Sequence, residues 1–183
     1  GLASLVIDSE SPALLKAMVS REGELVNFEE PVDTSKHPKV NEVVVDFAQL
    51  EGVRARLHAE HVFCALGTTI RKAGSQEKFR QVDFDYPLRL AQLTLAQGAQ
   101  HFSLVSALGA SSKSGVFYSR VKGELEDALR AMGWPSLCVL RPSVIAGDRQ
   151  ESRPLERLSG LLLSFGPATY RPVAAGRIAA AMV

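Results

Sequence analysis

The chain has 183 residues, 46% of them apolar and 22% charged, with a net charge of +1. The length fits a single domain, 1–183, with apolar residues enough for a substantial core. Lys and Arg are spread without a basic stripe, the apolar runs are far shorter than a bilayer span, and no basic region leads into a long apolar stretch at the start, so nucleic acid and membrane are excluded as partners and a cytoplasmic location is expected.

Residues 3–7 read as a short buried strand. Asp8-Ser9-Glu10-Ser11-Pro12 then reads as a turn into a helix, with Ser11 as N-cap and Pro12 in the first helical position. The spacing of Leu14, Leu15, Met18 and Val19 predicts a helix over 13–21, stopped by Gly23, and 24–28 predicts a second strand. Together these make a strand–helix–strand unit. Residues 30–39, with Pro31 and Pro38, read as a loop. Val43-Val44-Val45 is an all-branched strand ending at Asp46, and 47–58 is a short helix around Leu50, Val53 and Leu57.

Residues 61–66 form a strand entering Gly67-Thr68-Thr69. Helix covers most of 75–97, with an interruption at Pro87 and a stop at Gly98. The strand 101–106 ends in Ser106, and a small-residue loop, 108–115, leads into a helix over 117–132. Gly133-Trp134-Pro135 breaks that helix, and the strand 136–141 ends at Pro142-Ser143. Beyond it lie a dense polar run, 148–154, an amphipathic stretch, 155–165, and a final helix, 174–183, with no cap, so the chain reads as incomplete at its C-terminus. Residues 147–183 are expected to form a small substrate-side segment of the one domain.

Short apolar strands alternating with amphipathic helices are the sequence form of an α/β fold with a doubly wound parallel sheet. Ligands of such sheets bind outside the carboxyl ends of the strands. Asp46, Gly67-Thr68-Thr69, Ser106 and Pro142-Ser143 all fall at those ends. Cys64 and Cys138 lie in apolar strand-like runs and read as buried reduced thiols, and His37, His58, His61 and His101 have no metal-ligand spacing, so no metal is expected.

The chemistry concentrates on Tyr118 and Lys122. Four residues apart on a helix, they share one face. An ammonium beside a phenol favours the phenolate, and a phenol so tuned can exchange a proton with a carbonyl or alcohol oxygen. Ser106, at its strand end, can hydrogen-bond the same oxygen. A surface helix with an aromatic anchor would carry the same tyrosine–lysine pair, so the strand-end serine is what directs the pattern toward catalysis.

Several motifs in fixed order complete the picture. Phe63-Cys64-Ala65-Leu66-Gly67-Thr68-Thr69, Val82-Asp83-Phe84-Asp85-Tyr86, Val105-Ser106-Ala107-Leu108-Gly109-Ala110, Phe117-Tyr118-Ser119-Arg120-Val121-Lys122-Gly123-Glu124 and Asp148-Arg149-Gln150-Glu151-Ser152-Arg153-Pro154 resemble the atypical short-chain dehydrogenase/reductase family, and within it the bacterial members of its Tat-interacting, oxidoreductase-like branch. The resemblance runs from about Val43 to about Val183. It implies a Rossmann-like fold, a nicotinamide dinucleotide (NAD or NADP) and the catalytic set Ser106, Tyr118 and Lys122. Lys122 would also hold the nicotinamide ribose. Asp46 and Phe47 would lie on the adenine side, Leu66, Gly67 and Thr68 would back the cofactor, and Pro142, Ser143 and Val144 would flank the nicotinamide.

The front departs from that family. Its glycine-rich first turn lets backbone N–H groups approach a pyrophosphate. Here the corresponding turn is Asp8-Ser9-Glu10-Ser11-Pro12, with two carboxylates, no glycine and a proline that has no N–H. One reading is that this turn replaces the phosphate loop and weakens cofactor binding. The other is that Gly1-Leu2 is the remnant of a lost fingerprint. Glu29 and Glu30 follow the second predicted strand, and acids there suit the free ribose hydroxyl of NAD, whereas the resembled family more often suggests NADP. Two functions stand: an NAD(P)-dependent oxidoreductase of a small carbonyl or alcohol, or a Rossmann-fold binding or regulatory module with a damaged cofactor site.

Overall fold

The computed structural model describes residues 3–8, 17–19, 25–27, 40–143, 145–146 and 173–182. Strands β1 (Ala3–Asp8), β2 (Ala17–Val19), β3 (Leu25–Asn27) and β4 (Val40–Val45) come first. β1 lies parallel to β4, Asp8 opposite Val45, while β2 and β3 form a separate antiparallel pair. The expected helix over 13–21 is therefore corrected: Ala17, Met18 and Val19 are extended. Pairing Ala17 with Asn27 and Val19 with Leu25 satisfies this backbone as a helix would, and pairing overrides the weak local helical preference. Among the described residues β3 does not join β1. The turn residues 9–12, Glu29, Glu30, Val144 and the stretch 147–172 lie outside the described residues.

From β4 onward the order follows the sequence pattern. Asp46 caps 3-10 helical turns over Phe47–Arg56 by accepting the Ala48 N–H at 2.9 Å. β5 (His61–Cys64) leads to α1 (Ile70–Ala73), capped by Thr69, and α2 (Gln76–Arg80), capped by Ser75. A π-helical turn, Gln81–Asp85, joins α2 to α3 (Tyr86–Leu95). Pro87 is the reason for the widened turn. It has no N–H for the carbonyl four residues back and its ring crowds that carbonyl, so the expected interruption appears as a bulge rather than a break.

β6 (His101–Val105), α4 (Phe117–Ala131) and β7 (Ser136–Leu140) follow, then β8 (Ile145–Ala146), β9 (Val173–Ala174) and α5 (Ala175–Met182). β5, β6 and β7 form a three-stranded parallel sheet in the order β5-β6-β7, and β8 pairs with β9 in parallel. Val62, Cys64, Phe102 and Leu104 point from the sheet into a core completed by Leu90, Ala91 and Leu93 of α3 and by Leu125 and Leu129 of α4. Phe102 and Trp134 meet there with ring centroids 5.1 Å apart. α5 packs on the other side, against β6 and β7, and its Met182 carbonyl accepts the Ser103 hydroxyl at 2.9 Å.

α4 meets the preceding loop with no clearance at Gly123. A Cβ there would lie 2.1 Å from the Ser111 carbonyl carbon, so only glycine lets that backbone rest on the helix. The Ser111 N–H donates to the Ser119 carbonyl at 3.0 Å and fixes the contact.

Candidate active site

The parallel register brings three chain segments to one end of the sheet: loop 65–69 after β5, Ser106 after β6, and 141–143 after β7. The ladder continues past the strands, because the Ser106 N–H donates to the Leu140 carbonyl at 2.7 Å and the Leu108 N–H to the Pro142 carbonyl at 2.9 Å. Ser106 and Pro142-Ser143 are thereby tied together. Asp46 ends β4 in the other ladder, where its exposed carboxylate caps the next turns and accepts the Gln49 side chain at 3.3 Å. Phe47 is buried, stacked on Tyr86 at 5.5 Å.

α4 supplies Tyr118, Lys122 and Glu126 at successive four-residue steps. Tyr118 is half-buried, and its ring lies 5.6 Å from that of Phe79, which also touches Phe117 at 5.8 Å. Phe79 is fully buried and anchors the start of α4 to α2. Arg80 beside it pairs with Glu124.

Lys122 is buried, and its Nζ lies 2.7 Å from Oδ1 of Asp83, itself fully buried in the π turn. The second carboxylate oxygen, Oδ2, accepts the Thr68 N–H at 2.9 Å. One carboxylate therefore joins the loop behind the expected cofactor to the expected catalytic lysine. Gly67 makes the approach possible, since a Cβ there would lie 3.2 Å from Asp83 Oδ1 and 3.4 Å from Lys122 Nζ. Burial pushes the Asp83 carboxyl up, and the opposing pull of Lys122 and the Thr68 N–H does not cancel it. Burial likewise pushes the Cys64 thiol up; Cys64 and Cys138 are both free cysteines.

Glu126 is the second buried carboxylate. Its Oε1 accepts the Ser106 hydroxyl at 2.6 Å and Arg141 Nε at 3.0 Å, and its Oε2 accepts Arg130 Nη2 at 2.8 Å together with Arg141 Nη2. Burial pushes this carboxyl up, but hydrogen bonds from Arg141, Ser106 and Arg130 outweigh it, and the net shift is downward.

Asp83, Glu126 and Arg141 are absent from the set expected from sequence. The signal for Glu126 is its four-residue step beyond Lys122. Asp83 lies in one of the motifs that carry the resemblance, but the motif names no partner for it, and an unbroken helix through 81–85 would have given it a different facing. Among the described residues, no cluster of three His, Cys, Asp or Glu side chains could hold a metal, and no helix is long and apolar enough to cross a membrane.

The site suits a nicotinamide ribose. The Lys122 ammonium has three donors and only one is needed for Asp83, while Gly67 keeps loop 65–69 free of a side chain against that pair.

No family model matches the chain. It is 46% identical over 121 residues to protein HTATIP2 of Rattus norvegicus, a match covering 66% of this chain and 50% of that one. It is 42% identical over 95 residues to protein fmp52, mitochondrial, of Emericella nidulans, covering 52% of this chain and 41% of that one. The chain thus spans about half the length of the curated relatives it matches. Its fold is that of DesIV, a dTDP-glucose 4,6-dehydratase from Streptomyces venezuelae solved with NAD and DAU bound, at a TM-score of 0.55, 16% identity and coverage of 70% of this chain and 47% of that one. A UDP-N-acetylglucosamine 4-epimerase from Methanobrevibacter ruminantium gives 0.56 and 14%, covering 74% and 52%. The relatives named mitochondrial overturn the expected cytoplasmic location. Over about half of their length HTATIP2 and the fmp52 proteins are thus similar to this chain, whose Rossmann-like parallel sheet is the fold shared with the solved structures.

Proposed function

We infer that this chain carries the cofactor-binding and catalytic part of an NAD(P)-dependent oxidoreductase acting on a small carbonyl or alcohol. The observation that supports it most is the convergence of loop 65–69, Ser106 and Pro142-Ser143 at one end of the parallel sheet, with Tyr118 and Lys122 one turn apart on the adjoining helix. A bound nicotinamide supplies or takes the hydride. In the reducing direction Tyr118 gives its phenolic proton to the substrate oxygen, and in the oxidising direction its phenolate takes that proton back. The Lys122 charge favours the phenolate and its ammonium binds the ribose, while Ser106 orients the substrate oxygen. Leu66, Gly67 and Thr68 back the cofactor, Asp46 and Phe47 serve its adenine side, and Pro142, Ser143 and Val144 flank its nicotinamide.

Calorimetric titration with NADH and NADPH tests the reading. Binding of either, weakened in Lys122→Ala, is the expected result, and no heat at millimolar nucleotide rejects it. A second reading, a binding module without turnover, is favoured by the engagement of the Ser106 proton with Glu126. Reduction of a panel of aldehydes and ketones, lost in Tyr118→Phe, rules that reading out.

A further inference from the structure

Glu126 accepts hydrogen bonds from three side chains: Ser106, Arg130 and Arg141. Both Glu126 and Ser106 are buried, at 0% and 6% exposure, so water does not compete for the contact. An ionised carboxylate can only accept, so in the 2.6 Å contact the serine must be the donor. Its single proton is thereby committed, and toward any other partner Ser106 is an acceptor. Donation to a substrate carbonyl requires the proton to swing away from Glu126. The carboxylate tolerates that loss, because Arg130 and Arg141 still serve both of its oxygens.

We propose that Glu126 is a positioning residue that sets the direction of the Ser106 hydroxyl: it holds Ser106 as an acceptor, suited to a hydroxyl ligand, and releases the proton when a carbonyl oxygen arrives. The proposal rests on the Ser106 role given above. It predicts an inversion in Glu126→Gln. The guanidinium groups of Arg130 and Arg141 draw the amide oxygen to themselves, which turns the amide N–H toward Ser106. Ser106 then accepts from Gln and points its own proton outward, toward a carbonyl.

Two measurements on the whole chain test this. In the first, which needs no nucleotide, the carboxyl carbon of isotope-labelled Glu126 is titrated by NMR in the wild type and in Ser106→Ala. An upward move of the midpoint in the variant is expected, and an unchanged midpoint overturns the proposal. In the second, dissociation constants are compared in the wild type and in Glu126→Gln for two complexes that cannot react, cyclohexanone with the oxidised dinucleotide and cyclohexanol with the reduced one. The ratio of carbonyl to alcohol affinity should rise about tenfold, the value of one reversed hydrogen bond. A merely structural glutamate would weaken both ligands equally, which overturns the proposal and leaves the oxidoreductase reading standing. If the wild type binds no dinucleotide or neither probe, the carboxyl titration alone decides.

Discussion

Two buried carboxylates flank the same stretch of α4 and behave in opposite ways. Asp83 faces Lys122 with one ammonium and one backbone N–H for company, and burial wins: its carboxyl is pushed up. Glu126, one turn further along, gathers Ser106, Arg130 and Arg141, and the donors win: its carboxyl is pulled down. Burial alone does not decide the state of an acid; the number of donors aimed at it does. The partners differ too. Lys122 is as dry as Asp83, whereas Arg130 and Arg141 keep side-chain exposures of 48% and 45%, so they can be rehydrated if Glu126 is lost.

Removing one partner should therefore cost most at the drier pair. Asp83→Ala leaves the Lys122 ammonium buried without a counter-charge, and a loss of about 3–5 kcal/mol is expected in urea unfolding. Asp83→Leu combined with Lys122→Met should recover most of that loss, since an apolar pair of similar volume avoids both desolvation costs. If the single and the double variant are equally unstable, the ammonium was not the source of the cost. Glu126→Gln should cost less, about 1–3 kcal/mol, because the amide oxygen keeps arginine donors and the half-exposed guanidinium groups stay hydrated. A loss matching that of Asp83→Ala would erase the contrast.

The pH dependence has opposite signs at the two sites. For Glu126, held below its ordinary value of 4.5, the stabilisation is full above that value and is lost as pH falls through the lower folded midpoint. For Asp83, raised above its ordinary 3.8, the stabilisation is present below that value and is lost as pH rises through the folded midpoint. Thermal melts across the acid range should show the acid-side loss diminished in Glu126→Gln and the rising-pH loss absent in Asp83→Asn. The smallest effect is expected of Gly67→Ala. Its Cβ needs the Asp83–Lys122 contact to give by a few tenths of an ångström, worth about 1 kcal/mol of stability. A wild-type melting temperature would show that the pair yields freely.

The half of the chain that carries the site was the legible half. Val62 and Cys64 or Phe102 and Leu104 announce strands because buried apolar residues recur there between turn residues, and the strand ends then locate Gly67, Ser106 and Pro142 without further information. The front was not legible in the same way. Met18 and Val19 suit a helix face or a short strand equally, and only the partner Leu25-Val26-Asn27 decides between them. Asp83 and Glu126 escaped for a different reason. A charged residue in a helix reads as solvent-facing unless its partner is known, and Lys122 is remote in sequence from Asp83, as Ser106 and Arg141 are from Glu126. The closeness of Gly123 to Ser111 is likewise a property of two segments, silent in either alone.

The π turn over Gln81–Asp85 makes the chain intolerant of a change in length at one place. A π turn holds one residue more than the α-helical turn it replaces. Deleting a residue between Gln81 and Asp85 would let a regular helix run from α2 into α3, and few local contacts would object. The two flanks would then be out of phase by about 100°, the rotation per helical residue. With α3 kept on the core by Leu90 and Leu93, Phe79 would leave Tyr118; with Phe79 kept, Leu90 and Leu93 would leave the sheet. In a lineage that varies by insertion and deletion, the spacing from Phe79 to Leu90 is a ruler that substitutions can decorate but length changes cannot cross.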